Sequence, residues 1–96
     1  MDEDLNAANT YKTAGIAAFG EGESGHSTQR LFRVEPGHSA GFALEQSSLL
    51  MGCVHQLTLQ AGIEYDPKLV WAAHYLSGMA KALVEDVAHA MLDRPQ

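Results

Sequence analysis

Cysteine is nearly missing from this chain: of its 96 residues, Cys53 alone carries a thiol. A disulfide framework is therefore excluded, and Cys53 could pair only with another chain. Positive charge is scarce too. Six Lys and Arg stand against twelve Asp and Glu, giving a net charge of −6 and a pI near 5.1. The six cations are scattered from Lys12 to Arg94 and form no stripe. Nucleic-acid binding draws on such a stripe to displace phosphate counterions, so its lack argues against a DNA or RNA partner. Long apolar runs are missing as well. No stretch reaches the roughly 18 uninterrupted apolar residues needed to cross a bilayer. The opening Met1-Asp2-Glu3-Asp4 is acidic where a secretory or transit peptide is basic. These absences predict a soluble protein of the cytoplasm, a reducing compartment that a lone cysteine suits.

What remains is a small chain with room for one domain. A 10.3 kDa domain buries only a modest share of its unfolded surface, so its core must be supported by packing or by association. Residues 1–28 are rich in Gly, Ala, Asn, Thr and Ser and predict a flexible or partly ordered N-terminal segment that builds no core alone. Residues 29–94 predict the domain proper, a helical hairpin with a leading short strand.

The strand signal lies at 29–34, where Leu31-Phe32-Arg33-Val34 runs into the stop and turn sequence Glu35-Pro36-Gly37. An apolar patch bounded by glycines at 14–19 is either a second strand or a sticky tail. Pairing of residues 16–19 with 29–34 would make a small β-hairpin, which needs the helices or a second copy to lie on.

The first helix is expected from Ser39 as N-cap to Gly62 as the left-handed terminator. At 100° per residue, Ala43, Ser47, Leu50, Val54, Leu57 and Ala61 fall on one line. Phe42, Leu49 and Cys53 flank it on one side, Leu44 and Met51 on the other, and Leu59 lies opposite. The second helix starts at Asp66 as N-cap with Pro67 at the first helical position and runs to about Leu92. Leu69, Ala72, Ala73, Leu76, Met79, Ala80, Leu83, Val87, Ala90 and Met91 make one continuous face. Both apolar arcs are wider than one partner helix can cover. The surplus predicts a homodimer closing into a four-helix bundle, with Leu50, Val54, Leu57, Leu76, Met79, Leu83 and Val87 as its core or dimer face.

Sites of chemistry are few. Gly20-Glu21-Gly22-Glu23-Ser24-Gly25 matches the letters of a dinucleotide-binding loop, but it opens no helix and its two glutamates would repel phosphate, so a glycine loop is the expectation. Glu85 and His89, four apart with Asp86 nearby, are weak metal candidates. They are two ligands where a structural zinc needs about four, and they project to the solvated rear of the helix. No cofactor is expected. His55 and His74 also project to solvent. Cys53 has no electropositive setting and is expected to be a small buried hydrophobe. No nucleophile, base and orienting group form a recognisable signature, which argues against an enzyme. Trp71, Tyr75, Gly78 and Ala82 share a second side of the second helix. They are either the seat on which Leu31, Phe32 and Val34 pack or an aromatic-lined binding surface.

The run 31–37, then 43–50, then Trp71-Ala72-Ala73-His74-Tyr75-Leu76-Ser77-Gly78-Met79-Ala80-Lys81-Ala82-Leu83, resembles a family of small pseudomonad proteins grouped as a domain of unknown function, DUF 3077. The likeness covers roughly residues 29–90. It implies a bacterial source and a compact helical domain, and it brings no activity, cofactor or binding residue with it. The functional expectation is thus a non-enzymatic, dimeric module that binds an unidentified protein partner. The alternative is a helical bundle that binds a small molecule or a metal, using the Trp71 and Tyr75 side or the Glu85 and His89 pair.

Overall fold

A computed structural model describes residues 10–23 and 29–92 of the chain. Residues 1–9 and 24–28, much of the segment expected to be flexible, lie outside the described residues, as do Ser24 and Gly25 of the glycine loop. The order of elements is β1 (Ala18–Phe19), β2 (Phe32–Arg33), α1 (Ala40–Glu64) and α2 (Pro67–Leu92). The fold is mainly α, an antiparallel pair of long helices preceded by a two-stranded antiparallel sheet.

Each helix begins where side-chain chemistry dictates. The Phe42 N–H donates to Ser39 Oγ at 3.2 Å, satisfying one of the free donors at the start of α1. The Lys68 N–H donates to Asp66 Oδ1 at 3.0 Å, and Pro67 has no N–H to satisfy. The end of α1 differs from expectation. The helix runs through Gly62 to Glu64, and the left-handed residue is Tyr65, φ 54°, whose N–H donates to Ala61 O at 2.8 Å. Pro67 explains the shift. It fixes the start of α2 and forces Asp66 out of the helical region, leaving Tyr65 as the residue that must reverse the chain.

The expected stripes are where the helices meet. Ala43 and Ser47 are buried and Leu50, Val54, Leu57 and Ala61 are half-buried, while Leu59 on the far side is 65% exposed. On α2, Ala73, Ala80 and Val87 are buried, and Leu76, Met79 and Leu83 are half-buried. Ser47 Oγ donates to Ala80 O at 3.0 Å and ties the two helices together. The core is made of small residues. Among the described residues its buried apolar members are six alanines and two valines; Ala17, Val34 and Ala82 form one cluster and Ala40, Ala43 and Val87 another, with Leu83 against both, while Ala73 and Ala80 lie outside the two. The larger side chains at the edges of the arcs, among them Phe42, Leu44, Leu49 and Met51, remain exposed. Cys53 is exposed with them, contrary to the buried role expected of it. The two helices form a single layer, and none of the described residues covers the rim of α1's arc.

The small sheet pairs Ala18 with Arg33 and Phe19 with Phe32, as the hairpin reading proposed. Thr13, 4% exposed, anchors its approach. The Thr13 N–H donates to His38 O at 2.7 Å and its hydroxyl to Glu35 O at 2.6 Å. In return Thr13 accepts the His38 N–H on Oγ1 at 3.0 Å and the Gly37 N–H on its carbonyl at 3.0 Å.

Candidate functional site

Among the described residues Asp86 is the one large side chain that is wholly buried, with 0% exposure. Its Oδ2 accepts the N–H groups of Ala14 at 2.5 Å and Gly15 at 2.9 Å, and its Oδ1 those of Ile16 and Ala17, both at 2.7 Å. Four consecutive amides can converge on one carboxylate because Gly15 takes φ 79°, a conformation open to glycine at little cost. A Cβ at that position would meet Pro36 at 2.9 Å. Burial raises the Asp86 pKa, but the N–H groups of Ala17, Gly15, Ile16 and Ala14 outweigh it, so the group lies below its usual 3.8. Each oxygen already holds two donors, which leaves the carboxylate nothing with which to take a proton from a substrate. Asp86 is a latch that binds residues 14–17 to α2.

With the latch closed, the N-terminal segment lies along the second side of α2. Ala17 and Val34 bury Ala82, and a Cβ on Gly78 would sit 3.6 Å from Phe19. Ala82, at 1% exposure, is therefore removed from the candidate binding surface, because the strand segment needs an apolar floor and takes this one. Of the residues expected on this side Val34 packs there and Leu31 stays exposed, its place taken by Phe19. Trp71 and Tyr75 keep much of their surface. They belong to a series of ring contacts: Phe19 stacks on Phe32 at 5.2 Å, Phe32 meets the Tyr75 edge at 6.5 Å, and Trp71 lies 6.3 Å from Tyr75 and 5.7 Å from His74. Glu21 borders this surface, 4.0 Å from His74 Nε2 and 3.5 Å from Arg30.

Beside the rings a furrow runs between the two helices. Its first stretch, about 760 Å³, is lined by Met51 and Ser47 from α1, Ser77, Lys81 and Val84 from α2, and Glu21 and Arg30 from the connection between β1 and β2. Its second, about 520 Å³, lies between Val54, Thr58 and Gly62 on α1 and Val70 and Ala73 on α2, and shares His74 and Ser77 with the first.

The polar candidates are scattered. Glu85 is exposed and pairs with Lys81 at 3.9 Å, and His89 is exposed one turn further on. Among the described residues no group of three or more His, Cys, Asp or Glu is placed to hold a metal ion. No helix among them is long and apolar enough to cross a membrane. Asp86 is the functional residue that sequence reasoning passed over, noted only as a neighbour of Glu85. A faint signal was present: it follows Ala82 by four residues and Met79 by seven, which places it on the same covered side of the helix.

Fold and site together define a small helical-hairpin domain clipped by its own N-terminal segment. The chain belongs to the family described as "Protein of unknown function (DUF3077)", which matches residues 13–90. That span begins at Thr13, where the resemblance began at residue 29, and so takes in the whole latch. No curated protein and no solved structure matches the chain.

Proposed function

We propose that the protein is a non-enzymatic interaction module of the bacterial cytoplasm that works as a homodimer, two hairpins closing into a four-helix bundle. The observation that carries this reading is the mismatch between what is buried and what is large. The core is alanine and valine, while Met51, Val70, Trp71 and Val84 are each 48% exposed or more. The molecule is flat, measuring 49 × 35 × 16 Å. A stable domain packs two layers around a core, and a second copy supplies the missing layer at once. In the bundle the half-buried Val54 and Ala61 gain cover along with the exposed Met51 and Val70. The exposed Trp71 and Tyr75 rings supply the kind of surface at which protein partners anchor. Cys53, an exposed thiol, supports a reducing compartment.

Sedimentation equilibrium at micromolar concentration tests the reading. The expected mass is twice the 10.3 kDa of the chain. A well-folded monomer would overturn it.

A further inference from the structure

Two apolar faces of the hairpin compete for a second copy, and charge separates them. The outer face of α1 exposes Leu49, Leu59 and Ile63. That helix carries Glu45 and Glu64 and no Lys or Arg, so two such faces would bring like charges together on a chain already at −6. The furrow between α1 and α2 is different. Its floor is small, with Ser47, Ala73 and Ala80 buried, so a facing helix can come close. Its walls expose Met51, Val70 and Val84. Its rim pairs Lys81 with Glu85 and Arg30 with Glu21, two cations against two anions.

We propose that this furrow is the surface through which two copies of the chain meet, packed furrow to furrow about a two-fold axis near His74 and Ser77, where its two stretches join. The assignment rests on the homodimeric reading above and adds the face. A two-fold interface has to be complementary to itself, and a rim of balanced charge around an apolar trough meets that condition. The acidic outer face of α1 does not. The N-terminal clip lines the first stretch of the furrow with Ala18, Phe19 and Gly20, and among the described residues the second stretch, between Val54 and Val70, carries no such cover.

The test compares two charge insertions at positions exposed in the single chain. Val84→Glu, in the furrow wall, is expected to weaken the dimer by about a hundredfold or more with its helical circular dichroism unchanged. Leu49→Glu, on the outer face of α1, is expected to change the dimer constant less than about twofold, as surface substitutions away from an interface do. The reverse pattern, with Leu49→Glu dissociating the dimer and Val84→Glu sparing it, overturns the furrow and leaves the dimer standing. Should Val84→Glu lose its helix signal, or both variants dissociate, Ser77→Cys in a Cys53→Ser background decides. A disulfide-linked dimer on mild oxidation supports the axis, and failure to cross-link overturns it. A monomeric wild type defeats the homodimer itself and shows the second copy to be the wrong occupant.

Discussion

Where the chain enters the hairpin, Ala40, Ala43 and Ser47 of α1 lie buried against a stretch of α2 that holds Ala80, Ala82, Asp86 and Val87, and a carboxylate fastens the N-terminal segment over them. From residue 50 through the turn to residue 76, Ala73 alone is buried, although Leu59, Ile63, Val70 and Trp71 are all there. The end with the smaller side chains is the better closed. Burial here follows what is available to cover a surface, and the clip reaches only one end. The turn end has the apolar material for a core and lacks the second layer.

The most direct way to break this contrast is Asp86→Ala. It leaves four N–H groups without their charged acceptor and should cost about 3–5 kcal/mol, the scale for removing one partner of a buried charge cluster. Hydrogen exchange should show the amides of residues 14–17 losing protection while those of the turn end change little. Acid reaches the same latch. Its folded pKa lies below 3.8, so the stability Asp86 contributes is complete above that pH and is lost as pH falls through the depressed folded value. An Asp86→Asn protein should lack that acid-dependent step in a pH series of unfolding curves.

Gly15→Ala attacks the other half of the latch. A positive φ and a 2.9 Å approach to Pro36 should together cost roughly 2 kcal/mol in denaturant unfolding. Ser47→Ala removes the hydroxyl bond to Ala80 O and should cost about 1 kcal/mol by the same measurement. The smallest effect has the opposite sign and belongs to the turn end. Tyr65→Gly relieves a left-handed residue whose side chain is 85% exposed, and should raise stability by about 0.5 kcal/mol once the added freedom of glycine in the unfolded chain is offset.

The parts of this fold that were legible in the sequence are those written in local chemistry. Ser39 and Asp66-Pro67 start the helices, the stripes repeat every three or four residues, and residues 16–19 and 29–34 alternate glycine-bounded apolar runs with a turn signal. What was not legible depends on distance or on cover. Asp86 binds backbone amides 69 to 72 residues away, and an amide has no residue type to betray it. Ala82 was read either as the seat of the strand or as binding surface, and what decides between them is the cover that Ala17 and Val34 bring from far along the chain. Cys53 was read as buried because its helical angle counts as apolar, whereas exposure depends on whether a second layer lies there. Gly62 was read as the helix end from its propensity, and the proline five residues later settled the matter instead.

The reach of Asp86 also bears on how the chain comes off the ribosome. Residues 14–17 emerge early, yet their acceptor is made only after both strands, all of α1 and most of α2. A nascent chain therefore carries the amides of residues 14–17 without this acceptor until residue 86 is made, and the domain closes only after that step. Translation that stalls before residue 86 leaves the latch without its carboxylate and residues 14–17 open for a chaperone or protease to find.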